Sequence, residues 1–223
     1  MTMKLLFSGN DYIHKVLVVA SEAGVLDQLE FVVNNPVGTD EIIWNYTPLG
    51  RHPVLVLEDG LTLYSGLLVC EYLDSLGRGP RLFPPDETRW RALTQMVLGD
   101  GLFDAVSALS IDALKPPADR VASAMQRNRR RIFGTLDQME REAAAFSERV
   151  FHIGHVCFAG GLSFLDLRRP LQKLGIDAAD AAFDWRDGRP ALQQWYDQVI
   201  ERSSLKLRPA DLGVVGTERP KPS

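Results

Sequence analysis

The first third of the chain alternates short apolar runs with amphipathic stretches. Residues 3–7 (MKLLF) form the kind of short apolar run a buried strand makes, and 12–24 (YIHKVLVVASEAG) carry apolar positions at helical spacing, with Gly24 placed as a C-cap. A second strand-like run, LEFVV at 29–33, completes a βαβ unit whose right-handed crossover makes its two strands parallel. Residues 34–50, punctuated by Asn, Pro, Gly and Thr, predict a loop holding one short helix. Residues 53–57 and 61–64 read as two strands joined by Glu58-Asp59-Gly60, an acidic-Gly hairpin turn. Ser65 then N-caps a helical pattern, GLLVCEYLDSL, that Gly77 stops.

Beyond Gly77 the pattern changes. The stretch GRGPRLFPPDE is rich in Gly and Pro and predicts a linker at 78–86. Helical spacing follows over 87–113, 117–147, 153–174 and 189–202, with breaks at Pro116-Pro117, around 148–152 and at Asp187-Gly188. The expected fold is an α/β N-terminal domain over 1–77 (βαβ-ββα around a mixed sheet) and an all-α helical bundle over 87–208. The polar, Pro-rich tail at 209–223 is expected to be disordered.

Composition narrows the function classes. A chain of 223 residues that is 45% hydrophobic buries a core without staples. Lys plus Arg number 25 against 29 Asp plus Glu, a net charge of -4 with no basic block, which argues against a nucleic-acid partner. The N-terminus lacks a signal-peptide pattern, and no apolar run approaches the roughly 18 residues of a membrane helix, so the expectation is a cytoplasmic protein with no membrane partner. Cys70 and Cys157 sit inside apolar segments without metal-ligand spacing and read as buried thiols. His14, His152 and His155 show no metal-site arrangement either, and no metal is expected.

Three stretches in order, TPLGRHPVLVLEDG, YSGLLVCEYLD and FDWRDGRPALQQWYDQVIERSSLK, resemble the glutathione transferase family. Their counterparts there are N-P-L-G-K-x-P-V-L-x-x-D-D-G, an acidic-Ser-x-x-I-x-x-Y-L helix, and F-x-W-x-x-x-x-P-x-L-x-x-W-x-x-x-x-x-x-R-P-S. The resemblance spans nearly the whole chain. It implies a thioredoxin-like N-terminal domain, glutathione as co-substrate, a small hydrophobic electrophile and a homodimer.

By that resemblance Pro53 falls where the fold carries a cis-proline, and the His52 backbone would pair with glutathione's cysteinyl unit like one more strand. On pattern alone, Pro53 opens an edge strand. Ser65, at a helix N-terminus, would hold the γ-glutamyl carboxylate with its hydroxyl and amide, a role compatible with plain capping. Tyr64 stands where relatives carry Glu or Asp and brings no charge for the γ-glutamyl ammonium. Asp100 is the candidate to meet that ammonium from a partner subunit, its other reading being a solvated helix carboxylate. Arg51 would meet the glycyl carboxylate.

The catalytic group must stabilise a thiolate, because glutathione's thiol, with a reference pKa of about 8.5, is only a few per cent ionised at neutral pH. Relatives read S-P-x-S-P-Y-V-R-K where this chain reads SGNDYIHK at 8–15, which puts Asn10 at the donor serine's position. Ser8 and Tyr12 are the alternatives. Leu102, Phe103 and Val106 line an electrophile pocket or simply fill core. His152 and His155 occupy the family's S/T-x-x-D capping positions, so a cap weaker by about 1 kcal/mol is expected there. The implied reaction is conjugation of the thiolate to an electrophile; a catalytically silent binding relative is the alternative. A redox version would want a Cys at the start of the first helix.

Overall fold

β1 (Met3–Phe7) is the second strand of a four-stranded mixed sheet ordered β2-β1-β3-β4. β2 (Leu29–Val33) pairs with it in parallel, Met3 opposite Leu29, while β3 (Val54–Val56) runs antiparallel, Leu6 opposite Val54, and β4 (Thr62–Tyr64) closes the hairpin, Val54 opposite Tyr64. The structure, a computed structural model, describes residues 2–8, 13–34, 42–146 and 151–212. It divides into two compact units: Met1–Phe83 together with the chain from Ser203, and Pro84–Arg202.

The first unit follows from its sequence almost element by element. α1 (His14–Glu22) buries Val16 to Ala20, three of them valines whose weak helix propensity is overridden by packing. Gly24 ends it at φ +70, with its N–H on the Ser21 carbonyl and the Val25 N–H on that of Ala20, a Schellman turn. The hairpin turns on Gly60 at φ +86, its N–H donating to Leu57, while Asp59 accepts from the Leu61 N–H at 2.9 Å. α2 (Gly66–Leu76) packs beside α1. Leu6 and Val54 meet Ile43, on a 3-10 turn at Ile42–Asn45, on one side of the sheet. α8 (Ser203–Lys206) also belongs to this unit: the Ser204 hydroxyl donates to Glu22, and Leu205 offers its carbonyl to His14 at 3.0 Å. The residues from Ser203, expected within the helical domain over 87–208, thus lie against α1.

The second unit is helical. α3 (Arg89–Leu114) and α5 (Ile153–Arg168) form its central pair, and α5 is buried on nearly every face. α4 (Ala122–Ala143) presents the Glu140 carboxylate to the first amides of α7 (Pro190–Val199), those of Ala191 and Leu192. Cys70 and Cys157 are buried free thiols.

Four expectations are corrected. The helix expected over 153–174 breaks at Arg169, in left-handed conformation (φ 45, ψ 52), and restarts as α6 (Pro170–Leu174), because Pro170 has no N–H to give and forces its predecessor out of helical geometry. The helix expected from 117 begins at Ala122, after a 3-10 turn at Pro117–Asp119. Residues 209–212 of the tail expected to be disordered form a 3-10 turn, and 213–223 lie outside the described residues. The weak cap expected at His152 is instead a reciprocal capping box made by both histidines.

Candidate functional site

The strand directions collect several of the sequence-selected residues at one edge of the sheet, the one formed by strand ends rather than by a lateral strand. β1 and β2 run toward that edge, β3 starts there and β4 returns to it. Ser8, His52, Pro53, Tyr64 and Ser65 therefore share it. Ser8, just past β1, is 3% exposed. Asn10 and Tyr12 lie outside the described residues.

The His52–Pro53 peptide is cis, and the ladder begins only after it, at Val54. Pro53 is buried, His52 half-buried and Arg51 exposed. Before them, Gly50, at φ +55, lies under the ring of Trp44, against which a Cβ there would press.

Ser65 has φ 94 and ψ 133, a conformation that side-chain-bearing residues rarely adopt. It N-caps α2, its Oγ accepting from the Leu67 N–H at 3.3 Å and its carbonyl from Val69 at 3.1 Å. Ser65 and Tyr64 are both exposed. Asp100, half-buried on α3, belongs to the second unit. Leu102 and Val106 on the same helix are fully buried and serve as core; Phe103 stacks on Phe164 with ring centroids 3.9 Å apart.

Two residues at this edge escaped the sequence reading. Lys15, one residue into α1, crosses the start of α2: a Cβ on Gly66 would lie 2.7 Å from its Cε and 3.1 Å from its Nζ, with the Pro53 ring 4.0 Å away. The available signal was a glycine at the first position of a helix, where it is a poor helix former. Asn34, just past β2, is 1% exposed; its N–H donates to Phe7 at 2.7 Å and its Oδ1 accepts from the Ile43 N–H at 3.2 Å. It ties the end of the parallel pair to the segment that follows.

Chemically, this edge offers helix-end amides, a hydroxyl, an ammonium and an unladdered backbone segment. That set suits a peptide-like ligand bearing a carboxylate. Among the described residues no group of three or more His, Cys, Asp or Glu could hold a metal ion, and no helix is long and apolar enough to cross a membrane.

The model of the glutathione S-transferase N-terminal domain matches residues 11–76. A glutathione transferase family member of Pseudomonas fluorescens Pf-5, solved with bound glutathione, is 30% identical, with a TM-score of 0.80 over 92% of this chain and 97% of that one. A glutathione S-transferase of Methylobacillus flagellatus KT, also solved with glutathione, is 26% identical with a TM-score of 0.80, covering 92% and 98%. The GST-like protein YibF of Escherichia coli K12 is 24% identical over 207 residues, 91% of this chain and 96% of that protein. With a thioredoxin-like sheet domain and a helical second unit that superpose on these structures along nearly their whole length, the chain belongs to the glutathione transferase family.

Proposed function

We propose that this protein is a glutathione transferase, binding glutathione at the sheet edge that gathers Ser8, His52-Pro53 and Ser65 and conjugating its thiolate to a small hydrophobic electrophile. That convergence is the observation that carries the reading. Relatives solved with glutathione bound support it.

In this reading the His52 backbone pairs with the cysteinyl unit, and Ser65 and the first amides of α2 take the γ-glutamyl carboxylate. Lys15 adds an ammonium beside those amides. A cation and the positive end of a helix dipole repel each other, and a carboxylate between them turns that repulsion into two attractions. Tyr64 leaves the γ-glutamyl ammonium without a charge at its position, so Asp100 of a partner subunit is assigned to it, which requires a homodimer. Arg51 takes the glycyl carboxylate. Asn10 is the proposed thiolate donor: its amide N–H stabilises S⁻ without competing for a proton, and Ser8 and Tyr12 are the alternatives. Binding energy sets the sulfur beside the electrophilic carbon; attack forms the thioether and expels the leaving group. The reading puts the protein in the cytoplasm, in detoxification.

The test is the ultraviolet absorbance of bound thiolate near neutral pH during a glutathione titration, followed by turnover with an activated aryl halide. A saturable thiolate signal with turnover, both lost in Asn10→Ala, is the expected result. Calorimetric binding without thiolate would replace the enzyme by a silent glutathione-binding relative. Absence of binding would remove glutathione as the ligand.

A further inference from the structure

Two histidines close the first turn of α5 in a reciprocal arrangement. His152 is the N-cap, its Nδ1 accepting from the Gly154 N–H at 3.2 Å, and the His155 Nδ1 reaches back to accept from the His152 N–H at 3.3 Å. The rings stack with centroids 3.8 Å apart and planes 20° from parallel. Because each Nδ1 accepts, the proton of each neutral ring belongs on Nε2. The Nε2 of His155 is buried without an acceptor among the described residues. Around the His155 ring stand Phe146, edge-on, Trp195 and Phe151, with ring centroids 4.5, 5.7 and 6.1 Å from its own.

Among the described residues, the charged groups nearby offer the pair no anion to share a proton with. From α3 come Arg91, which acts on His152, and Gln95, whose Cβ lies where a Gly154 side chain would stand. From α4 comes Glu142, whose carboxylate already accepts from the amides of Gln95 and Gln138, and just past that helix comes Phe146. From beyond the end of α7 comes Arg202, its guanidinium 4.0 Å over the Phe151 ring and acting on His155.

We propose that His152 and His155 form an acid-sensitive latch on the helical unit: each ring holds the start of α5 only while its Nδ1 is bare, and a proton on either removes a cap bond and leaves a buried cation that no anion among the described residues pairs with. Burial pushes the His152 imidazole down to about 4, with Arg91 adding to the effect. Burial pushes His155 to about 3, with His152 and Arg202 adding. An unfolded chain, with ordinary imidazoles near about 6.5, takes up two protons that the native state refuses. The latch is therefore fully effective above about 6.5 and is lost as the pH falls toward 4 to 3. Between about pH 6 and 4 the pair raises the unfolding equilibrium constant by up to about a hundredfold per pH unit. The helix it releases is the one buried on nearly every face, so the core of the helical unit loosens with it.

The test compares urea unfolding of the full chain, from pH 7 to 4, with that of the His152→Ser, His155→Gln double variant, whose Ser-x-x-Gln keeps a capping box without titrating. The wild-type unfolding constant is expected to rise more steeply with acid, by up to two protons' worth, than the variant's. Parallel curves would overturn the proposal. Nitrogen-15 NMR of the histidines decides independently of whether the variant folds: in the native wild type both rings are expected to stay neutral with Nε2 protonated at about pH 5.5. Titration of either near 6.5 in the folded state would overturn it.

Discussion

The side chain of Lys15 lies across Gly66: a Cβ added there would stand 2.7 Å from the Lys15 Cε and 3.1 Å from its Nζ. The absent side chain at the first position of α2 is what lets an ammonium approach the helix end proposed to take glutathione's γ-glutamyl carboxylate. Charge-assisted hydrogen bonds contribute about 1.5–3 kcal/mol, and Lys15 is half-buried, so Lys15→Met is expected to weaken glutathione binding about tenfold. Gly66→Ala, by displacing the lysine tip, is expected to weaken binding similarly without lowering stability, since Ala is the better helix former. The double variant should lose little more than either single one. Calorimetry and urea midpoints check this; two additive losses would show that the residues act separately.

Ser65 combines a strained backbone with a cap. Replacing it with Ala removes the bond to Leu67 and keeps the φ of 94, so Ser65→Ala is expected to cost about 0.5–1 kcal/mol of stability. Ser65→Gly loses the same bond but relieves a conformation costing about 1–3 kcal/mol, and should be as stable as the wild type or slightly more. Both are expected to bind glutathione about tenfold more weakly, with turnover at saturation less affected. Equal destabilisation by the two variants would mean that the backbone geometry carries no strain.

The sheet half was legible because its signals are local. An Asp-Gly turn between apolar runs, a proline before the third and a serine before a helical pattern each act within a few residues, and each matches its structural element. The break at Arg169 was equally legible, since a residue preceding proline avoids helical geometry; the apolar spacing ran straight through it. The histidine box was misread for a chemical reason. Capping preferences favour side-chain oxygens, and an imidazole Nδ1 accepts only in the neutral ring with its proton on Nε2, a state that local sequence does not reveal. Lys15 over Gly66 and α8 on α1 depend on contacts between elements far apart along the chain, the Ser204 to Glu22 bond spanning 182 residues.

Asp74 anchors the chain beyond α2. Its Oδ1 accepts from the Leu82 N–H at 2.8 Å, and its Oδ2 from Phe83 at 3.3 Å and from the Arg81 Nε at 2.8 Å. Asp74→Ala leaves two buried amides without an acceptor and is expected to cost about 2–4 kcal/mol, with no effect on catalysis beyond that of stability. Arg81→Ala, removing a side chain that is 41% exposed, is expected to cost under about 1 kcal/mol. If urea unfolding gave equal losses, the ion pair rather than the amide bonds would be the anchor.

The helical unit offers two glycines with opposite expected signs. Gly99 is buried on α3 where it meets α5, and a Cβ there would fall 2.6 Å from the Cys157 carbonyl oxygen and 2.8 Å from the Cys157 Cβ. Backbone cannot swing aside as a flexible side-chain tip does, so Gly99→Ala must push apart the two central helices of the unit. Since well-packed interiors accommodate little added volume, the expected cost is about 2–4 kcal/mol. Gly134 is exposed on α4, and a Cβ placed there would meet nothing within 4 Å, so Gly134→Ala gains helix propensity at no steric cost and should stabilise by about 0.5–1 kcal/mol. Thermal unfolding of both variants measures the difference. A Gly99→Ala protein as stable as the wild type would mean that α3 and α5 can separate without penalty, and the close glycine contact would then not define how these helices pack.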